Sequence, residues 1–269
     1  MTDTRYFTTG DGCRIAYRLD GEEGRPVLVL SNSIATNLTM WDRQVGELAK
    51  SFRVLRYDLR GHGDSLATEG DYSMELLVRD LAGLLNELNI QKTHLVGLGL
   101  GGAIVQAFAI EQPQRVHALL PCCCRAKMVP EFAEMWQKLR EAVANEGVEV
   151  IVEPTVQRWF SDEFKAANPK VLQDVRNMIR ATTTLGYLGV TAAFLGLNLE
   201  DKLAQIKAPT LYLSGAEDKM GGPPALMAEL AKKVPRAQHH SVPKAAHIAN
   251  IQNPAGFNKE VGDFLKRLI

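Results

Sequence analysis

The chain has 269 residues, of which 46% are hydrophobic and 23% are charged. This composition fits a globular protein with a sizeable core, built as one large α/β domain or two small domains. Its 31 lysines and arginines balance its 31 aspartates and glutamates, so no net field favours nucleic acid or an anionic membrane as a partner. The N-terminus lacks the basic-then-apolar layout of a signal peptide, and no apolar stretch is long enough to span a bilayer. We therefore expect a cytoplasmic protein.

The four cysteines are Cys13, Cys122, Cys123 and Cys124. Three of them are adjacent, so they form no disulfide framework, and a zinc cluster would need spaced ligands. We expect reduced thiols and no metal.

Five short apolar runs bounded by turn residues predict β-strands. Their nearly continuous apolar character is typical of a parallel sheet that is covered on both faces. The runs are residues 26–31, 53–58, 93–97, 116–121 and 210–215.

Helical patterns lie between these runs. Residues 74–90 have apolar side chains at helical spacing, with Ser73 as a plausible N-cap. Residues 103–113 run until a proline, and residues 223–234 and 254–269 each begin on a proline, which suits the first helical turn. The alternation predicts an α/β fold with a doubly wound, mostly parallel sheet.

Residues 125–207 break this alternation, because they contain helical patterns but no convincing strand. We interpret them as a helical cap inserted into a core formed by residues 1–124 and 208–269. Such a cap would cover the carboxyl ends of the strands, where these sheets keep their ligand crevice. Its aromatic residues either line the roof of a pocket or hold the cap together. They are Trp136, Trp159, Phe160, Tyr187 and Phe194, of which Trp136, Trp159 and Tyr187 are the candidate substrate-binding residues.

The stretch HLVGLGLGGA, residues 94–103, has the form of a nucleophile elbow, Gly-x-Ser-x-Gly between a strand and a helix, with Gly99 in the position of the serine. In α/β-hydrolases the order along the chain is nucleophile, acid, histidine. Asp218 follows a predicted strand and His247 precedes the last helix, so both occur in that order. The amides of Ile34 and Leu100 are placed to form an oxyanion hole.

Seven segments carry a resemblance to α/β-hydrolases of the 3-oxoadipate enol-lactonase type, and together they cover nearly the whole chain. They are LSNSIATNLTMWDRQVGEL, FRVLRYDLRGHGDS, VGLGLGG, VQRWFSDEF, TTTLGY, IKAPTLYLSGAED and AAHIANIQNPAGF. The resemblance implies a small ester or lactone substrate, Asp218 and His247 as acid and base, and the amides of Ile34 and Leu100 as the oxyanion hole. It implies no metal or organic cofactor.

The chain departs from this family at three places. Glycine replaces serine at position 99. The loop after Asp218 differs from that of the family, which leaves Glu217 as an alternative acid. Leu195 and Gly196 stand where relatives carry an arginine and an aspartate. Cys122, Ser31 and Ser33 are weak candidates for a displaced nucleophile. His62 is interpreted as a loop residue.

Three functional hypotheses follow. The first is an ester or lactone hydrolase whose nucleophile is replaced by Gly99, as an engineered inactive variant or by natural loss. The second is a non-covalent enzyme that uses His247 as a base: a lyase, decarboxylase, cyclase or cofactor-free oxygenase. The third is a small-molecule binding protein, and a homo-oligomer stays open for all three.

Overall fold

The computed structural model describes residues 3–268 and contains one eight-stranded sheet. The strands are β1 (Arg5–Thr8), β2 (Arg14–Asp20), β3 (Val27–Ser31), β4 (Arg53–Tyr57), β5 (Thr93–Leu98), β6 (Val116–Cys122), β7 (Leu211–Gly215) and β8 (Gln238–Val242). Their order across the sheet is β1-β2-β4-β3-β5-β6-β7-β8. The pairs β1–β2 and β2–β4 are antiparallel, and all others are parallel. The predicted doubly wound, mostly parallel α/β fold is confirmed.

The five predicted strands are present as β3 to β7, whereas β1, β2 and β8 were not predicted. β1 is mostly exposed, and β8 has the sequence QHHSV with only its last residue fully buried. β2 carries two arginines and an aspartate. Strands at or near a sheet edge meet solvent on one side, so they lack the continuous apolar run that marks a buried parallel strand.

Eleven α-helices pack around the sheet in the described part of the chain. Ser73 caps α2 by accepting a hydrogen bond from the Leu76 amide, as predicted. None of the helices described between residues 3 and 268 has the length and apolarity needed to cross a membrane. The helices are α1 (Asp42–Leu48), α2 (Met74–Glu87), α3 (Leu100–Glu111), α4 (Pro130–Glu146), α5 (Glu149–Trp159), α6 (Asp162–Ala167), α7 (Pro169–Arg180), α8 (Thr184–Leu195), α9 (Pro224–Lys233), α10 (Ala249–Gln252) and α11 (Pro254–Lys266).

Helices α4 to α8 all lie between β6 and β7 in the chain, and we refer to residues 125–207 as the helical segment. It contacts the core at the loop that follows β4. The Thr183 amide donates to the Gly61 carbonyl at 2.8 Å, and the Tyr72 amide donates to the Gly189 carbonyl at 3.2 Å. At Gly61 and Gly186 the two backbones approach so closely that a Cβ on either residue would overlap the other's backbone. Glycine is therefore required on both sides of this crossing.

Candidate active site

The candidate residues follow the carboxyl ends of four parallel strands. Ile34 comes after β3, Gly99 directly after β5, Asp218 after β7 and His247 after β8. Because the carboxyl ends of parallel strands meet at one edge of the sheet, this topology gathers the four positions into one crevice.

Gly99 forms the turn between β5 and α3, with φ of 58° and ψ of −119°. Its amide donates to the Cys122 carbonyl at 3.0 Å, which ties the turn to β6. A Cβ at Gly97 would overlap the backbone of Gly101, and a Cβ at Gly101 would overlap the backbone of Ser31. The flanking glycines therefore permit the sharp turn from strand to helix.

Asp218 and His247 form a buried pair, with 3.1 Å between Asp218 Oδ2 and His247 Nδ1. The carboxylate also accepts the amides of Met220 at 2.9 Å, Gly221 at 3.1 Å and Gly222 at 2.9 Å. Burial by itself would raise the pKa of Asp218, but His247 and the backbone amides outweigh it, and the pKa lies below its ordinary value. The carboxylate is therefore ionised and holds the imidazole by Nδ1.

The second imidazole nitrogen faces the turn. A Cβ on Gly99 would lie 3.5 Å from His247 Nε2. The Gly221 backbone packs so tightly on the ring that a Cβ there would overlap it. Asp218 and Gly221 thus fix the orientation of the imidazole, and its free nitrogen is directed at the nucleophile position of the elbow.

Two backbone amides border the same space. Leu100 is the first residue of α3, and the first amides of a helix have no partner within it. The Ile34 amide donates to no group in the described part of the chain. Neither N–H group therefore has a partner within the described chain, and the N-terminus of α3 adds a partial positive charge beside Gly99.

A small cavity of about 40 Å³ lies beside Ile34 and His247. Trp136, Trp159 and Tyr187, the three predicted substrate-binding residues, all line it together with Ile34 and His247. The Trp159 ring centroid is 6.3 Å from that of His247. Sequence reasoning missed the other lining residues, which are Ala35, Phe132, Met135, Ile151, Thr155, Arg158, Met220 and Gly221.

Two further aromatic residues of the helical segment do not line the cavity. Phe160 stacks on Phe164 with 5.2 Å between ring centroids. Phe194 packs edge-on against Trp136 at 5.1 Å and so supports a lining residue from behind.

Arg158 brings a positive charge to the largely apolar lining. Its guanidinium donates to Thr155 Oγ1 at 3.3 Å, and no carboxylate within residues 3–268 forms an ion pair with it. Burial lowers its pKa. Leu195 and Gly196, where relatives carry charged residues, do not line the cavity. The signal that could have found Arg158 is its place in VQRWFSDEF, one of the segments that carry the resemblance.

The other candidates have different surroundings. Glu217 is exposed, unlike Asp218. Cys122 is completely buried, and burial raises the pKa of its thiol. Ser31 Oγ shares a hydrogen bond of 2.8 Å with the Tyr57 hydroxyl, and His62 Nδ1 bonds the Arg60 carbonyl at 2.8 Å. No cluster of three or more potential metal-ligating side chains occurs in the described ranges.

The fold and the strand-end crevice define an α/β enzyme of the hydrolase type. The chain belongs to the alpha/beta hydrolase fold family, whose sequence profile matches residues 26–254. It is 31% identical to 3-oxoadipate enol-lactonase 1 of Acinetobacter baylyi over 97% of each chain. The resemblance to enol-lactonases is therefore confirmed.

Two solved structures, an enol-lactonase and an esterase, are similar to this chain over nearly its whole length. The enol-lactonase from Burkholderia xenovorans LB400 superposes with a TM-score of 0.93 at 35% identity, covering 97% of this chain and 100% of that one. A thermophilic esterase from Thermogutta terrifontis superposes with a TM-score of 0.92 at 30% identity, covering 99% of both chains. The protein is a hydrolase by family.

Proposed function

We propose that the protein hydrolyses a small ester or lactone in the crevice above Gly99. The observation that carries this proposal is the Asp218–His247 pair, whose free Nε2 faces the elbow. The similarity to an enol-lactonase and to an esterase supports the same class of substrate.

In this reaction His247 acts as the general base. Its Nε2 takes the proton of the hydroxyl that attacks the ester carbonyl, and then gives that proton to the departing alkoxide. Asp218 keeps the proton of the neutral imidazole on Nδ1 and stabilises the imidazolium that forms. The amides of Ile34 and Leu100 donate to the developing oxyanion, and each such donor contributes about 3 kcal/mol.

We further propose that the helical segment is a cap that encloses the substrate. Trp136, Trp159 and Tyr187 provide an apolar enclosure, which strengthens the electrostatic interactions inside it. Arg158 is the cation of this enclosure, and no carboxylate of residues 3–268 pairs with it. A substrate that carries a carboxylate beside its ester or lactone would supply the missing charge.

The experiment compares turnover of p-nitrophenyl acetate and of small lactones by the wild type, His247→Ala and Asp218→Asn. We expect His247→Ala to lose at least about a hundredfold in kcat, the usual contribution of a general base. His240→Ala is the matched control, because His240 lies in the middle of β8, is partly exposed and pairs with Glu260. Equal rates in His247→Ala and the wild type would contradict the proposal.

Gly99 itself favours a second candidate, since the elbow carries no hydroxyl. In that case His247 would remove a proton from a carbon next to a carbonyl, and the two amides would hold the resulting enolate. Carbon-bound hydrogen would then exchange with D₂O in a His247-dependent manner, which NMR detects. Ester cleavage without such exchange would favour the hydrolase.

A further inference from the structure

Ser33 carries a buried hydroxyl with no hydrogen-bond partner in the described part of the chain. The residue lies between the end of β3 and Ile34, and its side chain is 1% exposed. Ser33 Oγ has no hydrogen-bond partner among residues 3–268. Buried hydroxyls are nearly always paired, so an unpaired one requires an explanation, and a catalytic role is a common explanation.

The position of this hydroxyl supplies the explanation. A Cβ added to Gly99 would overlap Ser33 Oγ, and the same Cβ would lie 3.2 Å from Ser33 Cβ and 3.5 Å from His247 Nε2. Ser33 Oγ therefore occupies space that a serine side chain at position 99 would need. That space is the one faced by the free nitrogen of the base.

We propose that Ser33 supplies the nucleophilic hydroxyl that Gly99 lacks. This inference rests on the proposed hydrolase function. Ser33 immediately precedes Ile34, and residue 99 immediately precedes Leu100. Each of the two positions is therefore next to one of the proposed oxyanion donors. A hydroxyl delivered from Ser33 therefore meets the carbonyl carbon beside both oxyanion donors.

The reaction balances with water as the only co-reactant. Ser33 Oγ forms a bond to the carbonyl carbon while its proton passes to His247 Nε2. The bond between that carbon and the alkoxy oxygen then breaks, and the leaving oxygen takes the proton, which gives an acyl-Ser33 ester. Water attacks this ester, its proton passes through His247 to Ser33 Oγ, and the free acid leaves.

Four other hydroxyls and thiols near the elbow are engaged or inert. Ser31 Oγ is bonded to Tyr57, and Thr36 Oγ1 donates to the Ser33 carbonyl at 2.7 Å. The thiols of Cys122 and Cys124 are fully buried, and burial raises the pKa of each, which keeps them protonated.

The first test is substitution. We expect Ser33→Ala to lose at least about a hundredfold in kcat for p-nitrophenyl acetate, since removal of a triad nucleophile costs up to about a millionfold. The variant should fold normally, because it deletes a hydroxyl that has no partner. Ser31→Ala is the matched control: it removes a buried hydroxyl at the end of β3 that is bonded to Tyr57, and it should keep its activity.

The second test is covalent capture. A fluorophosphonate probe should phosphonylate the wild type once, peptide mapping should place the adduct on Ser33, and His247→Ala should react much more slowly. In Ser33→Cys, iodoacetamide should alkylate residue 33 faster than the four buried native thiols.

The outcomes separate the two proposals. Ester cleavage that needs His247 but persists in Ser33→Ala, without an adduct on Ser33, would overturn the role of Ser33 and leave the hydrolase function intact. Absence of both cleavage and labelling in the wild type would overturn both proposals.

Discussion

Gly99 occupies a backbone conformation that side chains avoid. With φ of 58° and ψ of −119°, any other residue would carry strain of about 1–3 kcal/mol. Glycine removes this strain and at the same time makes room for the Ser33 hydroxyl. The residue at position 99 therefore affects both the strain of this turn and whether the Ser33 hydroxyl fits beside it.

A serine at position 99 should restore a conventional elbow. We expect Gly99→Ser to lower the melting temperature, because it adds strain and overlaps Ser33, and to increase hydrolysis of p-nitrophenyl acetate. Adding Ser33→Ala should relieve the overlap, so Gly99→Ser/Ser33→Ala should exceed the wild-type kcat by at least about tenfold. Adding His247→Ala should abolish the gain. A double variant that folds but shows no gain would contradict this prediction.

His62 should make the protein sensitive to acid. Burial lowers the pKa of His62 to about 4, and its Nε2 has no partner in the described chain. The unfolded chain binds this proton near pH 6.5, so the unfolded state takes up more protons between pH 6.5 and 4, and stability falls as the pH falls. The loss amounts to about 3 kcal/mol over this window.

Urea unfolding at pH 6.5 and pH 4 measures this effect. His62→Gln keeps a donor for the Arg60 carbonyl and should show a smaller pH dependence than the wild type. His240→Gln is the comparison variant, because its partly exposed side chain pairs with Glu260, and it should keep more of the wild-type pH dependence than His62→Gln does. Identical pH profiles for His62→Gln and the wild type would contradict the assignment.

Only part of the site could be predicted from residue types. Asp218 and His247 lie in motifs whose order along the chain indicates their positions. Ser33 and Arg158 lie in segments that carry the resemblance, but neither could be selected in the same way. Within residues 3–268, Ser33 Oγ has no hydrogen-bond partner and Arg158 has no carboxylate partner, and only the packed structure reveals this. Serine and arginine are common, and their sequence neighbours do not show whether a hydroxyl or guanidinium is paired.

Helix α8 contacts the loop after β4 through two glycines. Gly61 and Gly186 meet backbone to backbone, and Thr183 closes the contact with hydrogen bonds from its amide and its hydroxyl to the Gly61 carbonyl. This crossing joins the helical segment to the core by backbone contact and by hydrogen bonds.

Gly186→Ala should loosen this joint. Its Cβ would overlap the Gly61 backbone, which cannot move aside as a flexible side chain would. Overpacking of this kind typically costs about 1–3 kcal/mol, so we expect a lower melting temperature and faster proteolysis within residues 125–207. Gly196→Ala is the matched control, because its Cβ would lie 3.7 Å or more from its nearest neighbours. Equal melting temperatures of Gly186→Ala and Gly196→Ala would contradict this role of the Gly61–Gly186 contact.

At the scale of elements, the sequence was most informative where burial was complete. The parallel strands β3, β5, β6 and β7 read as apolar runs, and β4 keeps a short apolar run between Arg53 and Arg56. Strands β1, β2 and β8 contain charged or polar residues, and their backbone pairing gives no local signal. These three strands form because their backbones pair with neighbouring strands. A sequence window of a few residues does not include the neighbouring strand, so it does not predict them.

At the scale of the whole molecule, the cavity between the core and the helical segment is small. Its volume of about 40 Å³ has room for about one water molecule, so we expect ligand binding to shift the side chains that line it. Two of the three tryptophans, Trp136 and Trp159, line this space, whereas Trp41 is buried elsewhere.

Ligand binding should therefore change the intrinsic fluorescence and raise the melting temperature. We expect a small carboxylic acid, the product of ester hydrolysis, to add about 2.7 kcal/mol of stability at a hundred times its Kd. Arg158→Gln should weaken this effect for the acid but not for its neutral amide. Equal stabilisation by acid and amide in the wild type would contradict the charge preference.

The three adjacent thiols at the end of β6 connect folding with oxidation. Cys122, Cys123 and Cys124 are sealed inside the native protein, where burial raises the pKa of each. Unfolding returns them to water, where a cysteine has a pKa of about 8.5 and is partly thiolate in mildly alkaline solution. Oxidative cross-linking then competes with refolding, so the lifetime of the protein at high temperature is governed by its unfolding rate. The yield of renaturation should accordingly depend on the reductant present.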